Sequence, residues 1–164
     1  MAPRSESKPR GGGPSGPRPA PKRDETGPRR LAREATLQIL FALDESGADD
    51  AAAVTHAIQS YWAHLEGPVA GREYADELVR AVMPHRDTLD QSIRDANPNW
   101  RIERMARVDR NILRVAVHEF VHGGVPANVA IDEAVELAKR FGGEESPAFV
   151  NGTLDKIARN HKKL

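Results

Sequence analysis

The sequence predicts an all-α protein, a bundle of six to seven helices behind a disordered N-terminal tail. Three observations predict it. Apolar residues recur three and four positions apart from Leu31 to Ile157, the period of a helix with one buried face. No stretch alternates convincingly with the period of two that a half-buried strand needs. Glycine and proline stand between the periodic segments and punctuate them. With 164 residues, the chain has enough material for one ordinary domain with a sizeable core.

Residues 1–28 hold seven of the twelve prolines and the run Gly11-Gly12-Gly13, with Arg10 beside it. Such a segment has too little apolar surface to offset its ordering entropy, so a disordered tail is expected over 1–28 and a helical domain over 29–164. The first helix starts near Arg29. Ala32, Ala35, Ile39 and Leu43 carry its apolar stripe, Leu31, Leu40 and Phe41 widen it, and Gly47 closes it. A second helix is expected from about Asp50 to Leu65, with Val54, Ile58, Tyr61, Trp62 and Leu65 inward and Gly67-Pro68 as its stop.

A third helix begins near Gly71 with Tyr74, Leu78 and Val82 inward. Pro84 must kink or end it, because proline lacks the amide donor and clashes with the preceding turn. Helical spacing resumes through Leu89 and Ile93 to Asn97-Pro98. Trp100 and Ile102 then lie on a connector of about one helical turn. Val108, Ile112, Val115, Ala116 and Phe120 mark the next helix, ended by Gly123-Gly124. Pro126 opens another, with Ile131, Ala134, Val135, Ala138 and Phe141 inward before Gly142-Gly143. For the last helix, Ser146 is the expected N-cap and Pro147 the first helical residue, with Val150, Leu154 and Ile157 buried.

The formal net charge is zero, but it is unevenly spread: residues 1–30 carry eight Lys/Arg against three Asp/Glu, leaving the rest equally acidic. A basic arm on an acidic body suits a nucleic-acid or acidic partner, or simply a solubilising tail. No cysteine is present, which excludes disulfides, thiol nucleophiles and cysteine-bound zinc. No apolar run approaches a membrane span, and the N-terminus has no apolar signal core. A cytoplasmic address is the expectation.

Two constellations could carry chemistry. His118-Glu119-Phe120-Val121-His122 matches H-E-x-x-H, in which two imidazoles one turn apart bind zinc and the glutamate acts as base. Against this, Gly123-Gly124 end the helix at the second histidine and no third ligand is singled out. The competing expectation is a helix end with two solvent-facing histidines, and no cofactor. The second constellation is Arg29, Arg30 and Arg33, which helical spacing allows on one patch. Cations at a helix N-terminus oppose the macrodipole, a cost that an anionic partner would recover. Phe149 lies at the edge of the last helix's stripe, where an aromatic can stack an unpaired base or pack on a neighbouring helix.

Three segments together resemble the NusB family. They are Arg29-Arg30-Leu31-Ala32-Arg33-Glu34-Ala35, Val108-Asp109-Arg110-Asn111-Ile112-Leu113-Arg114, and the block from Ala130 through Phe141-Gly142 to Phe149-Val150-Asn151-Gly152-Thr153-Leu154-Asp155-Lys156. The resemblance runs from about 29 to 160. It implies a non-catalytic factor with two small helical subdomains that binds single-stranded boxA RNA of ribosomal RNA leaders. It also implies a partner, the small-subunit ribosomal protein known as NusE, in an antitermination complex with RNA polymerase. The RNA contacts it implies fall on Arg29, Arg30, Arg33, Glu145 and Phe149, and the partner surface on Phe41, Asp44 and Asp109. NusB-like domains also open certain ribosomal RNA cytosine methyltransferases, which continue into a catalytic domain, whereas this sequence stops at Leu164. Whether an apolar face of the bundle meets NusE or a second copy of the chain stays open at this point.

Overall fold

The computed structural model of the chain describes residues 27–65 and 70–164, so most of the expected tail and the Gly67-Pro68 stop lie outside the described residues. Among the described residues there are seven α-helices and no strand: α1 (Pro28–Ser46), α2 (Ala51–Ala63), α3 (Arg72–Val82), α4 (Arg86–Ala96), α5 (Arg107–Val117), α6 (Ala127–Phe141) and α7 (Ser146–Asn160). The all-α expectation is borne out.

Local chemistry sets the ends. Pro28 occupies the first turn of α1, one residue earlier than the expected start, because its missing amide costs nothing there. Gly47 ends α1 in the left-handed conformation at φ 69°, its amide donating back to the Leu43 carbonyl. The Asp50 carboxylate caps α2 by accepting from the Ala53 amide at 2.8 Å. Pro84 ends the third helix, one of the two expected outcomes. It sits in a 3-10 turn, Met83–His85, that separates α3 from α4. A second 3-10 turn, Ile102–Arg104, forms the expected connector.

Three sequence expectations need correction. Leu65 does not face inward: α2 ends at Ala63, so Leu65 lies past the helix and is exposed. Leu31 and Phe41 do not widen the α1 stripe; both are exposed, because they fall outside the arc of α1 that neighbouring helices cover. Ser146 does not cap the first turn of α7. Its hydroxyl accepts from the Gly143 amide at 3.0 Å, in the preceding turn, and no side chain caps α7.

The helices form two groups. α1 packs on α2 and α3, while α5 packs on α4, α6 and α7, and α1 against α5 joins the groups. One apolar core runs through both, with Ile39, Val79, Ile112, Leu113, Leu154 and Ile157 almost wholly excluded from solvent. Truncating Leu154 or Ile157 to alanine costs about 2–5 kcal/mol, transfer and cavity terms together. After α5 the chain widens into a π turn, His118–His122, before Gly123.

Candidate nucleic-acid interface

The first residues of α1 lie against the start of α3. Gly71 makes this approach possible: at φ +83°, a Cβ there would come within 2.1 Å of the Pro28 carbonyl oxygen. The contact sets the three arginines at the edge where α1, α3 and α6 meet.

They cluster around Tyr74 and Glu133, as the spacing allows, but differ in exposure. Arg29 is exposed and holds its guanidinium over the Tyr74 ring, 4.8 Å from the centroid. Arg30 is half-buried and forks onto Glu133 of α6 through Nε and Nη2, both at 2.9 Å. Its hydrogen bonds hold the Glu133 carboxyl below its ordinary range. Arg33 is 4% exposed and turns into the protein, where it donates to Glu119 at 2.8–3.0 Å. Tyr74 donates its hydroxyl to the same carboxylate. Burial first, and then this hydrogen bond, push the Tyr74 phenol up to about 12. Of the three arginines expected to meet an anionic partner, Arg33 is therefore corrected: it is buried and not at the surface. The carboxylates of α6 and the π turn claim two of the three guanidiniums, because a buried arginine needs a partner.

The same geometry revises the H-E-x-x-H segment. His122 is exposed, but His118 is half-buried, and their ring centroids are 6.1 Å apart. Burial and then the neighbouring His122 hold His118 below its ordinary range. Glu119 is 1% exposed and its carboxylate is filled by Arg33 and Tyr74. A carboxylate so engaged cannot serve as a general base for a bound water. Among the described residues no three His, Asp or Glu side chains converge as metal ligands.

Glu145 and Phe149 lie elsewhere, at the turn from α6 to α7. They line a cleft of about 440 Å³ together with Trp100, Arg104, Asp109 and Glu144. α6 carries the surface from Glu133 to its end at Phe141, about 12 Å at the rise of an α-helix. The arginine edge and the aromatic cleft thus occupy opposite ends of that path.

Between them lies a second groove of about 320 Å³, lined by Leu37, Gln38, Phe41, Val108, Asn111 and Phe141. Phe41 is 43% exposed. Asp44 lies one turn further along α1 and accepts from Asn111 Nδ2 at 2.7 Å. Asn111 in turn accepts from Arg114, whose guanidinium forks onto Asp90 at 2.6 and 2.7 Å. Phe41 and Asp44 therefore share a face of α1, whereas Asp109 lines the aromatic cleft on the other side of the α5 start. The sequence reading gave no functional weight to Trp100, Tyr74 or Glu133. Only the unusual placement of a tryptophan in an Asn-Pro connector marked the first of these.

Comparison with known proteins adds an independent line. The model of the NusB family matches residues 30–159. A transcription antitermination protein NusB of Sorangium cellulosum is 49% identical over 135 residues, covering 82% of this chain and 94% of the relative. That of Geobacter sulfurreducens is 47% identical over 133 residues, covering 80% and 94%. Among solved structures, T. maritima NusB superposes with a TM-score of 0.70 at 34% identity, covering 81% of this chain and 92% of that one. The antitermination factors NusB and NusE in complex with double-stranded RNA give a TM-score of 0.67 at 25% identity, over 81% and 97%.

Proposed function

Because the chain belongs to the NusB family, we propose that it is an RNA-binding transcription antitermination factor, which with NusE binds boxA RNA of ribosomal RNA leaders and supports read-through. The observation that carries this reading is the order of features along α1 and α6. A cationic edge at Arg29 lies at one end, an aromatic cleft with Phe149 and Glu145 at the other, and an apolar groove with Phe41 between. A single strand spanning edge and cleft passes a protein seated in the groove, so both can be bound at once. Arginine contacts hold phosphates while aromatics take unstacked bases, the mode suited to single-stranded RNA. A solved complex of NusB and NusE with double-stranded RNA supports the binding of NusE and RNA in one assembly.

In this reading the protein carries out no bond chemistry, acts in the cytoplasm, and joins RNA polymerase through the assembled complex. Among the described residues no helix is long and apolar enough to cross a membrane. Arg29 is the arginine that meets phosphate, Arg30 contributes when Glu133 releases it, and Arg33 supports the edge from below. Phe41 and Asp44 face the partner, and Asp109 stands where partner and RNA surfaces adjoin.

Size-exclusion chromatography of the chain with NusE and a boxA oligonucleotide tests the proposal. Co-elution of all three, with a scrambled oligonucleotide left behind, is the expected result. Elution of the chain as a dimer that excludes NusE would instead assign the Phe41 groove to a second copy.

A further inference from the structure

Two guanidiniums lie over the ring of Tyr74. That of Arg29 is 4.8 Å from the centroid and that of Arg33 5.9 Å. The close approach of Gly71 to Pro28 sets the start of α3 against the start of α1, and so brings Tyr74 beside Arg29. The ring is half-buried and packed against the apolar core, and its hydroxyl donates to Glu119 on the π turn. It is a fixed surface beneath the arginine edge. The three arginines differ in what they still offer to a ligand. Arg30 commits Nε and Nη2 to Glu133, and Arg33 commits the same atoms to Glu119. Arg29 is exposed and is held by an aromatic face instead. A ring attracts a guanidinium through its π face and not through a lone pair, so the N–H groups of Arg29 stay open to a phosphate.

We propose that Tyr74 is a positioning residue for RNA: its ring holds the Arg29 guanidinium at the edge, ready to receive a backbone phosphate. A free arginine side chain gives up much of its rotamer freedom on binding, which weakens the contact it makes. Held on Tyr74, Arg29 has lost that freedom before RNA arrives, so more of its attraction for phosphate appears as affinity. A carboxylate in place of the ring would also hold Arg29, but it would fill the donors and repel phosphate, as Glu133 does at Arg30. Glu119 anchors the ring without adding that repulsion, because Arg33 matches its charge below the surface. The inference rests on the RNA-binding reading and deepens it by naming the residue that orders the phosphate contact.

A double-mutant cycle tests it, using the full chain, NusE and labelled single-stranded boxA RNA, with affinity read by anisotropy at several salt concentrations. The proteins are wild type, Arg29→Ala, Tyr74→Leu, Tyr74→Phe and the double variant of Arg29→Ala with Tyr74→Leu. Thermal melts establish that each is folded at the assay temperature, and Tyr74→Met replaces Tyr74→Leu in the cycle if the latter does not fold. Tyr74→Leu is expected to weaken binding about three- to five-fold with the salt slope kept, because the charge of Arg29 remains. Arg29→Ala lowers affinity and slope together. Once Arg29 is alanine, Tyr74→Leu is expected to cause no further loss. Tyr74→Phe recovers most of the affinity, since the ring and not the hydroxyl carries Arg29. Wild-type affinity for Tyr74→Leu overturns the proposal. So does an equal loss with and without Arg29, which would make Tyr74 a direct RNA contact or a general support of the fold. In both cases the proposed function stands, provided the wild type still selects boxA. A wild-type chain that ignores boxA RNA, even with NusE, sinks the function and this inference with it.

Discussion

Arg33 and Glu119, 86 positions apart in the sequence, meet inside the bundle through hydrogen bonds of 2.8–3.0 Å. The pair ties the start of α1 to the π turn after α5, and Tyr74 of α3 closes the arrangement from a third side. An arginine that sequence spacing places with its neighbours in a cationic patch is thus a structural tie. Removing either partner leaves an uncompensated buried charge. Arg33→Ala is expected to lose about 3–5 kcal/mol of stability in urea denaturation. Double substitution of Arg33 and Glu119 by apolar residues of similar size is expected to lose much less.

Tyr74 gives this cluster a pH signature. The folded-state phenol is raised to about 12 from the ordinary 10.0, so between those values the folded protein holds a proton that the unfolded chain has lost. Stability is full below pH 10 and falls as pH rises towards 12. Tyr74→Phe, which keeps the ring under Arg29, is expected to remove that part of the alkaline loss. Melting temperatures recorded across the range for both proteins check it.

Glu133 and Arg29 make opposite predictions for RNA. Glu133→Gln releases the Arg30 guanidinium and removes a nearby negative charge. It is expected to tighten boxA binding and to steepen the dependence on salt by about one counterion. Arg29→Ala is expected to weaken binding and lower the same slope by about one. Titrations at several salt concentrations separate the two.

Phe41 stands exposed on the rim of the apolar groove, so its loss affects little inside the fold. Phe41→Ala is expected to weaken NusE binding by about ten-fold or more, as an aromatic anchor at an interface does, and to leave the melting temperature nearly unchanged. Isothermal titration with purified NusE measures the first and a thermal melt the second. Asn111→Ala, which unties Asp44 from Arg114, is expected to weaken NusE binding less and to lower the melting temperature more.

Much of the fold was legible because period and punctuation agree. Val150, Leu154 and Ile157 repeat at helical spacing and all three are fully buried. Pro84 and Gly47 act where local sterics place them. The site was less legible because pairing is long-range. Spacing put Arg30 and Arg33 near Arg29, yet the carboxylates that claim them lie 103 and 86 residues away. Helical period alone also counted Phe41 as core, since it cannot tell which arc of α1 its neighbours cover. Trp100 sits on a connector, outside any periodic stripe, and only the packing of that connector on α7 brings it to Phe149. The resemblance to NusB proteins anticipated the cleft residues Glu145 and Phe149 but not their separation from the arginine edge.

The central claim is that the α1 edge and the α6–α7 cleft grip unpaired RNA beside a bound NusE. Fluorescence anisotropy of labelled boxA RNA, titrated with the chain in the presence and absence of NusE, tests it most directly. The account predicts tight, salt-sensitive binding of boxA over a scrambled strand, strengthened by NusE and weakened by both Arg29→Ala and Phe149→Ala. Equal binding of the two RNAs, unaffected by NusE and by either substitution, would contradict it.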